Sequence, residues 1–184
     1  KSLENIINGE GADTIAAFIA TPIPSGNQIP AKEYWPKVRE LCTNNNILFI
    51  ADEIICGFGR LGTWFGMERF GAEADIMTIA KALTSGELPV GAVVASKEIA
   101  EAFDNTEGEM GQFHHGVTYG GHPAVMAAGL KNLEIMEREK VVENSDQMGK
   151  YLYNQAVSVL QENHPIVGYV GGGLGLLMAI EIVK

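Results

Sequence analysis

Four short apolar runs alternate with polar, turn-forming segments in the first half of the chain. They cover residues 15–20, 47–51, 76–80 and 90–95. A strand that is covered on both faces does not alternate between apolar and polar positions, so continuous runs of this length predict buried strands. Buried strands separated by helical segments favour an α/β protein, with a mostly parallel sheet flanked by helices.

Apolar residues at three- and four-residue spacing predict three helices. The first lies between the first two strands, and its apolar face consists of Tyr34, Val38, Leu41 and Cys42. The second begins at Pro123, a residue suited to the first turn of a helix, and ends near residue 140. The third covers residues 145–162, and its predicted inward side chains are Met148, Leu152 and Val159.

The last twenty residues differ in pattern from the rest. Apolar runs at 166–170 and 176–183 predict an antiparallel pair, with the three glycines at 171–173 in the turn between them. We therefore predict that residues 1–145 form part of a large domain and residues 146–184 begin a smaller α+β domain. The chain starts within an apparent helix and stops after a strand, so we expect it to be an excerpt of a longer protein.

Composition excludes several classes of function. With 23 acidic and 13 basic residues, the 184-residue chain has a formal net charge of −10, which argues against a nucleic-acid-binding surface. Two cysteines, Cys42 and Cys56, are too few for a disulfide scaffold and favour a reducing cytoplasm. No apolar run reaches the roughly 18 residues of a membrane helix, and the N-terminus lacks a signal-peptide pattern.

Lys81 and Asp52 carry the candidate chemistry. Lys81 interrupts the apolar segment DIMTIAKALTSG, residues 75–86, and removing an ammonium from water is unfavourable without a partner or a reaction. Asp52 follows a predicted buried strand, where open α/β sheets bind ligands. Asp52 could simply cap a turn, with Glu53 solvated. A magnesium-binding acid of a nucleotide hydrolase would require a G-x-x-x-x-G-K-[ST] loop, which the chain lacks.

A third interpretation pairs Asp52 with Lys81. A lysine amine can form a Schiff base with a carbonyl, and pyridoxal phosphate is the cofactor that most often uses this reaction. The pyridine nitrogen of that cofactor must stay protonated to withdraw electrons from a substrate carbanion. A nearby carboxylate favours the protonated nitrogen. Asp52 and Lys81, at the ends of neighbouring strands, could therefore hold the ring from two sides.

Five motifs resemble, in the same order, those of the class III aminotransferases. Their residues are most similar to those of ω-aminotransferases that use pyruvate as amino acceptor. In chain order the motifs are ADEIICGFGRLG (51–62), TWFG (63–66), DIMTIAKALTSG (75–86), LPVGAV (88–93) and HGVTYGGHP (115–123). The resemblance runs from about residue 14 to the end of the chain. It implies the large domain of a fold-type-I pyridoxal-phosphate transferase.

The resemblance also implies a role for each matching residue. Lys81 would bind pyridoxal 5'-phosphate covalently, Asp52 would pair with the pyridine nitrogen, and Ile54 would lie against one face of the ring. Thr118 would reach the cofactor phosphate of a neighbouring subunit, which makes a homodimer part of the active site. The sequence departs from the family pattern at three positions that bear on substrate recognition: Thr21, Glu87 and Gly172.

The sequence thus predicts a transaminase that moves an amino group from an amine or ω-amino acid to a keto acid such as pyruvate. Another fold-type-I enzyme, namely a decarboxylase, racemase or aminomutase, is the first alternative, because those reactions share the carbanion. A truncated, non-catalytic module is the second. Three histidines, at 114, 115 and 122, do not form a predicted zinc site, because adjacent residues of an extended segment point to opposite faces and no cysteine or acid completes the set.

Overall fold

The central sheet has four strands in the order β1-β2-β3-β4. The computed structural model describes residues 2–24 and 27–184, apart from the side chains of Glu109 and Met110. Strands β1 to β3 run parallel, and β4 pairs antiparallel with β3. The predicted mostly parallel sheet is therefore confirmed. The strands are β1 (Ala17–Ala20), β2 (Leu48–Asp52), β3 (Ile76–Ile79) and β4 (Ala92–Ala95).

Five α-helices lie within the described part of the chain. Short 3₁₀ helices span Ala12–Thr14, Gly66–Phe70, Lys81–Thr84 and Gly108–Gly111, and a π-helical turn spans Val157–Gln161. None of the helices in the described part of the chain is long and apolar enough to cross a bilayer. The α-helices are α1 (Leu3–Glu10), α2 (Tyr34–Asn44), α3 (Lys97–Asp104), α4 (Pro123–Arg138) and α5 (Val141–Ala156).

Helix α2 packs against β2 through Trp35, one residue away from the predicted contact. The Trp35 ring stacks on Phe49 with 5.8 Å between the ring centroids, and its indole N–H donates to the carbonyl of Pro22 at 3.0 Å. Tyr34, predicted to face inward, is exposed, whereas Val38 and Cys42 are buried as expected. Trp35 rather than Tyr34 faces inward because the indole buries a large apolar surface and its N–H, the only donor of the side chain, still makes a hydrogen bond.

The buried face of helix α5 consists mainly of small residues. Met148, Leu152 and Val159, predicted to point inward, are exposed, and the buried positions of the helix are Val142, Ser145, Gly149 and Ala156. A Cβ added at Gly149 would overlap the carbonyl of Gly175. Close contact between the backbones, which only glycine permits, therefore orients this helix more strongly than its larger apolar side chains do.

The chain ends in an antiparallel hairpin of β5 (Val167–Leu174) and β6 (Leu177–Ile182), as the sequence predicts. The glycines at 171–173 are inside β5, and the turn consists of Gly175 and Leu176, so the predicted position of the turn is wrong. Gly172 has φ +143°, and a Cβ there would lie 2.7 Å from the carbonyl oxygen of Leu177. A side chain in place of Gly172 would therefore strain this hairpin.

Two further expectations concern the limits of the sheet and of the domains. All four residues of β4 are exposed, including Val93 at 67%, so cover on both faces does not extend to this edge strand.

Helix α5 runs without a break across residues 145 and 146. The division of the chain into 1–145 and 146–184 stays a prediction.

Candidate active site

Asp52 ends β2 and is anchored through one of its two carboxylate oxygens. Its Oδ1 accepts a hydrogen bond from the hydroxyl of Thr78 at 3.2 Å and another from the backbone N–H of Ile54 at 3.2 Å. Across the parallel register, Thr78 is the β3 partner of Asp52. Within residues 2–24 and 27–184, no hydrogen-bond donor lies on Oδ2. The direction of this half-buried carboxylate is therefore fixed, and Oδ2 can still accept a hydrogen bond.

Glu53, the next residue, is 1% exposed, so the alternative in which this side chain is solvated is wrong. Its two carboxylate oxygens accept hydrogen bonds from the backbone N–H groups of Gly66 and Met67, each at 2.8 Å. Burial raises the pKa of Glu53, and the hydrogen bonds from Met67 and Gly66 oppose that rise.

The segment after Glu53 folds into a tight loop that returns to it. Within this loop, Phe58 N–H donates to Trp64 O at 2.5 Å and Gly59 N–H donates to Thr63 O at 3.0 Å. The hydroxyl of Ser145, on α5, donates to Gly59 O at 2.6 Å. These contacts make Gly59, with φ +86°, a turn and packing position.

Lys81 lies at the same edge of the sheet as Asp52, the edge formed by the carboxyl ends of the parallel strands. It comes two residues after the end of β3, and the carboxyl ends of parallel strands β2 and β3 lie side by side. Lys81 begins a 3₁₀ helix with φ +44°, a conformation that non-glycine residues rarely adopt. Its side chain is exposed, contrary to the buried setting that the sequence suggested. In the described part of the chain, no acid forms an ion pair with it.

Asn132, which sequence reasoning missed, holds the turn that carries Lys81. From helix α4 its side-chain amide donates to Ala82 O at 2.9 Å and to Leu83 O at 3.1 Å. Its amide oxygen accepts the hydroxyl hydrogen of Ser85 at 2.7 Å. A single polar side chain therefore satisfies three groups of this turn, and it fixes the backbone from which Lys81 projects.

Ile54 and Thr118 have different relations to this edge. Ile54 is half-buried and is linked to Asp52 by its own N–H. Thr118 lies in a turn before α4, and its side chain is exposed. No hydrogen bond joins Thr118 to Lys81, Asp52 or Ile54 among the residues that the structure describes. The chain thus brings Asp52, Ile54 and Lys81 to one edge and leaves Thr118 on the surface.

A cleft of about 650 Å³ opens beside Lys81. Lys81 and Arg60 supply cationic groups to its wall, and the 57–65 loop, the Lys81 turn and helices α4 and α5 enclose it. Asp52 is outside this wall. The apolar part of the lining includes Phe58, Met136, Val141 and Leu176. An apolar cleft with two cationic side chains suits a small organic ligand that carries an anionic group.

Comparison with known sequences gives a consistent result. The chain matches the aminotransferase class-III family over residues 1–184. A putrescine–pyruvate aminotransferase from Pseudomonas aeruginosa is 43% identical over 187 aligned residues, which cover 100% of this chain and 40% of that protein. A gamma aminobutyrate transaminase 2 from Solanum lycopersicum is 40% identical, with coverage of 99% and 40% respectively. The chain therefore spans about two fifths of the length of these relatives.

Solved structures agree with the sequence comparison. A transaminase from the marine bacterium Virgibacillus is 42% identical with a TM-score of 0.92, and the match covers 99% of this chain and 41% of that one. An (S)-enantioselective omega-transaminase from Thermomicrobium roseum is 42% identical with a TM-score of 0.90, over 99% of this chain and 40% of that one. Because the family match covers every residue and the fold agrees at this identity, the chain belongs to the class III aminotransferases.

Proposed function

We propose that the protein carrying this sequence is a pyridoxal-phosphate-dependent transaminase. The observation that carries the proposal is the arrangement of Asp52, with Oδ1 anchored and Oδ2 open to a donor, at the same sheet edge as Lys81. A carboxylate held in this way can accept a hydrogen bond from a protonated ring nitrogen, and Lys81 supplies a primary amine nearby. Membership of the class III family supports the same conclusion.

The residues at this edge suit the cofactor. Asp52 offers a charged acceptor, Lys81 offers an amine that no acid engages in the described residues, and Ile54 offers an apolar side chain. Pyridoxal phosphate supplies an aldehyde that condenses with amines and a ring that accepts the electron pair of the substrate carbon. Asp52 favours the proton on the ring nitrogen by its charge. Lys81 acts as the acid and base that moves the proton at the substrate carbon.

For the substrates, we infer an amine or ω-amino acid as donor and a keto acid such as pyruvate as acceptor. The names of two relatives support this inference, since one acts on putrescine and pyruvate and another on gamma aminobutyrate. The cleft beside Lys81, with apolar walls and Arg60, is compatible with a substrate of this kind.

For the assembly, we infer a homodimer in which Thr118 serves the phosphate site of the partner subunit. The exposed position of Thr118 supports this inference, because an exposed hydroxyl is accessible to a second copy.

We also infer a cytoplasmic location, because the buried cysteines Cys42 and Cys56 are both free thiols, as is usual in a reducing compartment.

Reductive trapping tests the proposal. The intact protein that carries this sequence is loaded with pyridoxal phosphate, reduced with borohydride and digested, and the modified peptide is identified by mass spectrometry. We expect the label on Lys81. Lys97→Ala, which removes an exposed lysine of α3, serves as the control and should be labelled at Lys81 as strongly as the wild type. Label on another lysine would show that the assignment is wrong.

A further inference from the structure

Glu53 uses every hydrogen-bonding group that it has. Its N–H donates to Thr78 O at 2.9 Å, its carbonyl accepts from Gly57 N–H at 2.9 Å, and its carboxylate accepts from Gly66 and Met67. The side chain thus joins the end of β2 to the first turn of the 3₁₀ helix Gly66–Phe70.

The peptide group between Glu53 and Ile54 connects this anchor to Asp52. On one side of that group, Glu53 O accepts the N–H of Gly57 at 2.9 Å. On the other side, Ile54 N–H donates to Asp52 Oδ1 at 3.2 Å. Because a peptide group is planar, its rotation would weaken both hydrogen bonds together. The orientation of the Asp52 carboxylate therefore depends on how firmly Glu53 is held.

We propose that Glu53 is a positioning residue, which fixes the Asp52 carboxylate in the direction of the cofactor's ring nitrogen. The inference rests on the proposed function and adds to it a residue that does not itself touch the cofactor. On this proposal, the orientation of the Asp52 carboxylate depends on the two hydrogen bonds that Glu53 accepts from the backbone N–H groups of Gly66 and Met67.

The surroundings of the carboxylate favour a two-oxygen acceptor at this position. Burial makes the charged form unfavourable and raises the pKa of Glu53, so the two hydrogen bonds, rather than packing alone, account for an acid at this position. The two N–H groups each face one oxygen. Gly66 is packed against the anchor, since a Cβ there would lie 2.8 Å from Cys56 Cβ and 3.0 Å from Glu53 Oε2.

The test uses the intact protein loaded with pyridoxal phosphate labelled with ¹⁵N in the ring. The ring-nitrogen chemical shift reports whether that nitrogen is protonated, which a purely structural role would not alter. In Glu53→Gln, an amide NH₂ would face a backbone N–H, so one of the two bonds is lost. We expect the ring-nitrogen signal to move toward that of the unprotonated ring and kcat to fall about 10–100-fold, as for a misplaced catalytic group.

Asp75→Asn is the matched control. Asp75 is also an acid that anchors a strand, since its Oδ2 accepts from Phe49 N–H at 2.6 Å and from Arg39 Nη1 at 2.7 Å. It precedes β3 and therefore lies at the opposite edge of the sheet from Asp52. We expect this variant to lower the unfolding temperature and to leave the ring-nitrogen signal where the wild type has it.

The possible outcomes separate the inference from the proposed function. A Glu53→Gln protein that unfolds earlier but keeps the wild-type signal would overturn the inference. If that variant does not fold, Glu53→Asp, which keeps the charge but is one carbon shorter, is judged by the same signal. A wild-type protein that binds no cofactor, or binds it with an unprotonated ring nitrogen, would instead reject the proposed roles of Lys81 or Asp52.

Discussion

Thr78 donates its hydroxyl hydrogen to Asp52 Oδ1 at 3.2 Å, and the two residues are register partners on the parallel strands β2 and β3. The strand that leads to Lys81 thus also orients the acid that would act on the ring nitrogen. This relationship makes the sheet edge a single unit, in which a change in the β2–β3 register would displace Asp52 and Lys81 together.

Replacement of Asp52 tests its charge. We expect Asp52→Asn to retain some pyridoxal phosphate but to lose turnover by about 10³-fold or more, because an amide cannot hold the ring proton by charge. Thr78→Val is the control for geometry, since it removes one hydrogen bond, worth about 1.5–3 kcal/mol to a charged group, and keeps the charge. Steady-state kinetics and cofactor titration measure both. Near-normal turnover of Asp52→Asn would mean that the carboxylate only caps the turn at Ile54.

A mixed dimer tests the proposed role of Thr118. Thr118→Ala should weaken cofactor retention by about 1.5–3 kcal/mol, the value of one hydrogen bond to a charged group. In a heterodimer of Thr118→Ala and Lys81→Ala subunits, one site would hold both Lys81 and the Thr118 of the other subunit. We expect about half of the wild-type activity, measured on a heterodimer purified through two affinity tags. If Thr118 acts within its own subunit, the heterodimer will be no more active than half of a Thr118→Ala homodimer.

The sequence predicted the elements of the sheet well because buried parallel strands have a distinctive pattern. Observed strands begin and end within two residues of the apolar runs, and the position of Asp52 at the end of β2 follows directly from that pattern. Side-chain direction was harder to predict. Trp35 rather than Tyr34 packs on Phe49, and Gly149 rather than Met148 faces inward on α5. These choices depend on partners that are distant in sequence.

The same limit applies to the candidate site. Lys81, Asp52 and Ile54 could be named from local motifs, because each belongs to a short string next to a strand. Glu53 and Asn132 could not, because their partners are the backbone groups of Gly66, Met67 and the Lys81 turn. A long-range hydrogen bond to backbone requires no particular residue type at the other end. Composition and spacing therefore do not reveal it.

The buried carboxyl of Glu53 makes stability depend on pH in a defined direction. Burial raises its folded-state pKa above the ordinary value of 4.5, so the folded state binds this proton more tightly than the unfolded state does. Its contribution is fully present below pH 4.5 and is lost as pH rises through the raised folded-state pKa. We expect the stability of the wild type relative to Glu53→Gln to fall across that window. Urea unfolding of both proteins at a series of pH values measures the difference, and a difference that rises with pH would contradict the expectation.

Two glycines test how closely α5 approaches the hairpin turn. Gly149→Ala should destabilise the protein by about 1–3 kcal/mol, because its Cβ would overlap the backbone of Gly175. Gly9→Ala, in helix α1, is the matched control, since a Cβ there meets nothing within 4 Å. That change should stabilise the helix by about 0.5–1 kcal/mol. Chemical unfolding of the two variants measures both effects. Equal effects of the same sign would show that close packing at Gly149 is unimportant.

The 184-residue chain by itself is expected not to transaminate. It spans about two fifths of the length of its relatives, and large apolar side chains are exposed on it, among them Phe113 at 69% and Val117 at 70%. A phosphate with nearly two negative charges, bound to a chain of net charge −10, also requires several dedicated donors. Exposed apolar surface favours association, so we expect the purified chain to bind apolar dyes and to aggregate. An assay with pyridoxal phosphate, an amine donor and pyruvate decides the question, with Lys81→Ala as the control. Sustained formation of alanine that depends on Lys81 would show that these residues suffice for the reaction.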